Sequence, residues 1–201
     1  EEFQKNLKNF WPEKAPNILN VQKYVNKYKN DKIVIKCGGK VLIDPILFDN
    51  FIEDLVVLYK LGLNIVVVHG GGPRIKNELA KLNIESKFIN GLRVTDSQTM
   101  QVVEKSLVEF NSEIIEKLKN KDCKAEGLNV STNNVFIVEQ ENKELGFVGR
   151  PQSIIKEKIE NITRSTEKCI ATVAKMKGVK EDLYFCIEPK SLLNLKDPLK
   201  S

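Results

Sequence analysis

Two short apolar runs, each closed by glycines, constrain this chain more than any other feature. Ile33-Val34-Ile35 leads through Lys36-Cys37 into Gly38-Gly39, and Asn64-Ile65-Val66-Val67-Val68 leads through His69 into Gly70-Gly71-Gly72. β-Branched runs without polar alternation suit strands buried on both faces, as in a parallel sheet. A helical pattern follows each. Asp44-Pro45 supplies an N-cap and a first-turn proline, and Gly62 stands where a C-terminal cap belongs. Between them, Leu47, Phe48, Phe51, Ile52, Leu55, Val56 and Tyr59 form an apolar face. Pro73 opens a second helix with Ile75, Leu79 and Leu82 in phase. Strand, glycine turn and helix, repeated, predict a right-handed parallel α/β unit.

The rest of the chain is built around that unit. Residues 1–30 read as a helical arm, with Phe3, Leu7, Phe10 and Trp11 on one face and interruptions at Pro12 and Pro16. Ile18, Leu19, Val21, Tyr24, Val25 and Tyr28 then give a second short helix its apolar side. A core helix and an oligomerisation arm are both open readings of this segment. Residues 84–96 are short extended segments around Gly91, and Thr95 with Gln98 suggests a capping box for a long helix over 97–120. Residues 123–149 read as a hairpin, with strands at 135–138 and 145–148 around the polar loop 140–144. Residues 166–177 read as a helix ending at Gly178, and 183–187 as another buried strand.

Composition narrows the function. A chain of 201 residues, 41% hydrophobic and 29% charged, can bury a core without disulfide or metal staples. Its 32 basic and 27 acidic residues give +5, but they interleave, and only Arg74, Arg93, Arg150 and Arg164 are arginines. No basic stripe with aromatics supports nucleic-acid binding. Cys37, Cys123, Cys169 and Cys186 form no C-x-x-C pair, and His69 is the sole histidine, so no zinc set assembles from spacing. Buried free thiols in a reducing compartment are the expectation. No apolar run approaches the ~18 residues that span a bilayer, so a soluble, cytoplasmic protein without a membrane partner is expected.

In open α/β sheets, ligands bind beyond the carboxyl ends of the strands. Side-chain-free backbone N–H groups cradle anions there, and the next helix adds its positive end. The bends at 36–39 and 69–73 are thus candidate walls of one anion site. Neither is a Walker A loop or a G-x-G-x-x-G turn. Lys36, closing its strand beside two glycines, is placed to neutralise a transferring phosphoryl group, unless it is only a solvated strand end. Arg93 offers a planar fork for a carboxylate, with a surface salt bridge as the competing reading. His69 reads as a strand-end hydrogen-bonding residue rather than a general base.

IVIKCGGKVL (33–42), NIVVVHGGGPRIKNEL (64–79), FINGLRVTDSQTMQVVE (88–104) and ELGFVGRP (144–151) closely resemble, in the same order, the acetylglutamate kinases of the amino acid kinase superfamily. The resemblance implies an open, mostly parallel sheet sandwiched by helices, with an N-terminal helical arm. It implies ATP-dependent phosphorylation of the side-chain carboxylate of N-acetyl-L-glutamate, in arginine biosynthesis, with Mg²⁺ carried by the nucleotide. By motif match, Lys36 resembles the lysine that stabilises the transferring phosphoryl group. Gly38 and Gly39 look like the turn on the nucleotide phosphates. Gly71 and Gly72 match the backbone that holds the acyl-amino acid, and Arg93 the arginine on its α-carboxylate. Asn161 matches a substrate-contacting asparagine, but Ser165 stands where the family has an aspartate that organises its catalytic lysines. The implied organisation is a helical arm (1–30), an acyl-amino acid-binding lobe (31–160) and a remnant of the nucleotide-binding lobe (161–201). A homo-oligomer, dimer or hexamer, and arginine as inhibitor are further implications. The alternative is a catalytically impaired module of the same fold that senses N-acetylglutamate or arginine.

Overall fold

The computed structural model describes residues 16–38, 43–128, 136–154 and 170–174, with Trp11, Glu13 and Val41. Helix α1 (Ile18–Tyr28) begins at Asn17, whose side chain accepts from the Leu19 amide. Strand β1 (Lys32–Cys37) is followed by α2 (Pro45–Lys60), capped as expected by Asp44 on the amides of Ile46 and Leu47. Gly62, at φ +89°, ends that helix in the left-handed conformation that glycine allows. Strand β2 (Asn64–His69) then runs into α3 (Gly72–Lys81). The ribbon β3 (Phe88–Ile89) and β4 (Leu92–Arg93) precedes the long helix α4 (Ser97–Lys119) and strand β5 (Ala125–Leu128). An antiparallel pair, β6 (Phe136–Gln140) and β7 (Gly149–Ile154), and the strand β8 (Ile170–Ala174) complete the described elements.

The central sheet has the order β1-β2-β8-β5, and every neighbouring pair is parallel. The α/β class with a parallel sheet and helices is therefore observed. Ile33, Ile35, Ile65, Val67 and Ala125 point one way, into a core filled by Phe48, Ile52 and Leu55 of α2 and Phe110, Ile114 and Leu118 of α4. Val66 and Val68, on the alternate face of β2, are buried as well, which is why the run shows no polar alternation. Val25 of α1 is buried in the same core with Ile18 and Val21 against it, while Leu19 and Tyr24 face outward. Ile75 and Leu79 of α3 pack on Val103 and Leu107 of α4 as a second cluster.

Three sequence expectations are corrected. Residues 170–174 are a strand, not part of a helix over 166–177, because this short run of β-branched and small residues fills the slot between β2 and β5. Residues 125–128 leave the expected hairpin for the parallel sheet, and the hairpin itself is β6–β7. Its second strand starts at Gly149 rather than 145, because the Asn142 side chain caps the Glu144 amide and turns 143–145 into one 3₁₀ turn. Helix α4 is capped by Asp96, whose carboxylate accepts from the Thr99 amide at 2.7 Å, and not by a Thr95–Gln98 box. Thr95 is occupied otherwise. Its hydroxyl donates to Arg93 O, and its backbone pairs with residues 145–147. The strand predicted at 183–187 and the first helix of the arm lie outside the described residues.

That pairing makes a strap. The Thr95 amide donates to Leu145 O (2.9 Å) and the Phe147 amide donates to Thr95 O (2.7 Å) around Gly146, at φ +68°. A Cβ at Gly146 would stand 2.3 Å from Thr95 O. Gly146→Ala is therefore expected to cost about 1–3 kcal/mol in urea denaturation. Gly38→Ala, where a Cβ would meet nothing within 4 Å, is expected to leave stability unchanged in the same measurement.

Candidate functional site

The β1–β2 register pairs Lys36 with Val68 and Cys37 with His69. Both strands run the same way, so both glycine bends leave the sheet side by side at one edge. Lys36 is exposed at the end of β1, and Gly38 has open space where a side chain would be. Gly71 is the opposite case. A Cβ there would lie 2.8 Å from Leu107 Cδ2 and 3.3 Å from Ile75 Cδ1, so a side chain at this position requires those core side chains to shift. Gly71 is also the N-cap of α3 and supplies no capping side chain. The first-turn amides of α3 are not consumed by a cap, and the helix's positive end looks out beside the bend. Gly72 is buried as the first residue of α3.

His69 is 0% exposed. Its Nδ1 lies 3.3 Å from Gly70 O and its Nε2 3.3 Å from Asn111 Oδ1, and its ring meets Phe110 edge to face at 5.1 Å. Asn111 in turn donates from Nδ2 to Leu128 O at 3.3 Å, so one polar chain joins the ends of β2 and β5 through α4. Burial pushes the His69 pKa below its ordinary value, against the smaller opposing effect of its hydrogen bonds. The imidazole is thus a neutral strand-end group, whose single N–H donates to one of these two oxygens according to its tautomer. Burial also pushes the Cys37 thiol up to about 11, which leaves it an inert apolar neighbour of the bend.

Arg93 does not make the surface salt bridge that competed for it. It is 3% exposed, donates from Nη1 to Ser86 Oγ, and lies under the Phe88 ring with Cζ 4.7 Å from the ring centre. Its Nε has no hydrogen-bond partner. Burial alone drives its pKa downward, with no carboxylate contributing. A buried guanidinium without a counter-charge among the described residues is costly, and the usual remedy is an anion.

Sequence reading missed the supports of these groups. Arg74, one residue beyond Pro73, donates from Nη1 to Glu113 at 2.8 Å, reaches the same carboxylate from Nη2 at 2.7 Å, and lies over Phe110. It ties the first turn of α3 to α4 across 39 residues of sequence, a distance at which no local pattern signals the pair. Ser86 and Phe88 were legible in principle, because Asn90-Gly91 is the strongest short hairpin signal and sets which residues face Arg93. Gly39, Asn161 and Ser165 lie outside the described residues.

Known proteins resemble this arrangement. The model of the amino acid kinase family matches residues 31–185. The acetylglutamate kinase of Pelagibacter ubique is 52% identical over 164 residues, 82% of this chain and 57% of that protein. The acetylglutamate kinase of Clostridioides difficile is 41% identical over 155 residues, 76% of this chain and 54% of that protein. The chain thus spans about half the length of the curated relatives it matches. Among solved structures, smu.665 of Streptococcus mutans superposes with a TM-score of 0.67 at 26% identity, over 81% of this chain and 69% of that one. An N-acetylglutamate synthase of Neisseria gonorrhoeae has a TM-score of 0.61 at 13% identity, over 79% of this chain and 38% of that one, a likeness of fold alone.

The buried His69 gives stability a definite pH dependence. Its folded pKa lies below the unfolded value of 6.5, so the unfolded chain binds the extra proton as pH falls through that value. Stability is present above pH 6.5 and declines below it, by up to about 1.4 kcal/mol per pH unit for one proton. Urea midpoints at pH 7.5 and 5.5 measure this, and His69→Gln should flatten the difference.

Proposed function

The chain belongs to the amino acid kinase family, and on that premise we propose that it serves the ATP-dependent phosphorylation of the side-chain carboxylate of N-acetyl-L-glutamate, a step of arginine biosynthesis in the cytoplasm. The observation that carries this reading is Arg93, a buried guanidinium that no carboxylate of the described residues neutralises. A substrate carboxylate supplies the missing charge, and a planar fork holds it in two parallel hydrogen bonds. The similarity to acetylglutamate kinases supports the choice of acyl-amino acid.

In this reading Arg93 grips the α-carboxylate, Gly71 and Gly72 offer backbone N–H groups to the substrate, and Asn161 contributes a further contact. Across the edge of the sheet, Lys36 stands at the transferring phosphoryl group, while Gly38 and Gly39 approach the nucleotide phosphates. The residues fit that role: Gly38 is open where a phosphate would lie, and the adjoining α3 terminus carries uncapped amides. ATP is the phosphoryl donor, with Mg²⁺ riding on its phosphates. The substrate's side-chain carboxylate oxygen attacks the γ-phosphorus and the bond to the leaving ADP oxygen breaks. An acyl phosphate forms with no covalent enzyme intermediate. Alignment of two anions and neutralisation of their charge supply the rate.

Titration calorimetry tests the substrate half directly. N-acetyl-L-glutamate should bind this chain, and Arg93→Ala should weaken binding at least about 30-fold, as loss of a buried charge pair does. A derivative with its α-carboxylate amidated should lose about as much. No binding of N-acetylglutamate, or equal binding by Arg93→Ala, would contradict the reading. A homo-oligomer, dimer or hexamer, with arginine as its inhibitor is part of the same proposal, supported by Leu19 and Tyr24 exposed on α1. Light scattering that gives a monomer removes it.

A further inference from the structure

The turn between β3 and β4 decides which residues reach Arg93. Asn90 and Gly91 sit at φ +50° and +78°, the two left-handed residues that a two-residue hairpin turn needs. That turn leaves a single register, with Phe88 opposite Arg93 and Ile89 opposite Leu92. Opposed residues of an antiparallel pair share a face, and so do residues two apart on one strand. Phe88 and Arg93 therefore lie on one side of the ribbon, and Ser86, two residues ahead of Phe88, reaches the same guanidinium. Phe88 covers the guanidinium, and Ser86 Oγ accepts from Nη1. Phe88 is 51% exposed and Arg93 3%, so the ring is the cover and the cation the covered group.

A guanidinium has limited edges to offer. Nη1, the nitrogen on the Cδ side, is spent on Ser86. The edge that remains is Nε–H with Nη2–H, two parallel donors matched to the two oxygens of a carboxylate. Nε lacks any partner, and Arg93 Nη2 makes no hydrogen bond among the described residues. We propose that Ser86 and Phe88 are positioning residues that lock Arg93 so that it takes the ligand carboxylate side-on, through Nε and Nη2. The inference rests on the carboxylate-gripping role given to Arg93 above. Without Ser86, Nη1 is free to compete for the ligand and the ring plane is free to turn. Without the Phe88 ring, one face of the cation is open to water, which weakens every charge-assisted bond it makes.

The test uses the full chain and two readouts. With only four arginines in the chain, ¹⁵N-arginine labelling gives few Nε–H signals, and Arg93→Lys assigns the relevant one. In the unsubstituted protein the buried Arg93 Nε–H should exchange with solvent much more slowly than that of free arginine under the same conditions. Ser86→Ala and Phe88→Leu should each speed that exchange severalfold, and Ser86→Thr should restore it. Calorimetry with N-acetyl-L-glutamate should show an affinity loss of about tenfold for Ser86→Ala, and Ser86→Thr should stay near the starting affinity. Thermal melts of all variants check that they fold, and Phe88→Leu, at a half-exposed position, decides the matter if Ser86→Ala does not. Unchanged Nε–H exchange in a folded Ser86→Ala or Phe88→Leu variant overturns the positioning role, whatever the ligand does. Failure of the unsubstituted chain to bind N-acetylglutamate overturns the proposed function instead, and the exchange rates still decide the positioning role.

Discussion

The parallel register of β1 and β2 is the constraint on which the rest depends. Because Cys37 lies beside His69, two chain reversals that are 32 residues apart in sequence emerge next to each other. The edge where they emerge is the one to which the parallel strands present their carboxyl ends. Burial enforces the register. Ile33, Ile35, Ile65 and Val67 must face the α2–α4 core together, and a slip of one residue in either strand would turn its pair of these side chains to the other face. Gly71 adds to the device, since its lack of a side chain lets Leu107 of α4 and Ile75 of α3 pack directly on the bend. The side-by-side placement of the two bends is therefore a by-product of core packing, not a separate feature laid on a finished fold.

His69, Arg74 and Arg93 are each held in a different way. His69 is kept neutral inside, between Gly70 O and Asn111, and serves as a joint in the packing. Arg74 is neutralised by Glu113 and steadies the first turn of α3. Arg93 is buried with neutral neighbours among the described residues, a serine hydroxyl and an aromatic ring. Neutral supports hold the cation in place without spending its charge, which remains available to an incoming anion. The strap at Thr95–Gly146 adjoins Arg93 in the chain and holds its carbonyl through the Thr95 hydroxyl, with Leu145 and Val148 buried.

What was legible in the sequence was local. The Asp44-Pro45 start of α2, the stop at Gly62 and the two glycine-closed strands each carry their signal within a few residues, and each is where it was expected. The misread parts depend on distant partners. Residues 170–174 are a strand because β2 and β5 leave a slot for one, and a run of Ile, Ala, Thr and Val says little about its own choice. Thr95 lost the cap of α4 to Asp96 because a strap from residues 145–147 claimed its backbone. For the site, the residue types of Lys36, Gly71 and Arg93 were informative. The burial of Arg93 and its lack of a counter-charge were not, since no local pattern of the sequence signals them.

The central claim is that two glycine bends and one buried arginine form a single pocket for anions. Amide and arginine side-chain chemical-shift mapping with N-acetyl-L-glutamate, then with a non-hydrolysable ATP analogue added, tests it most directly. The account predicts that the first ligand moves Gly70, Gly71, Gly72 and the Arg93 Nε–H, and that the second adds Gly38. Shifts confined to the outer faces of α1 and α2, or none at the two bends, would contradict it.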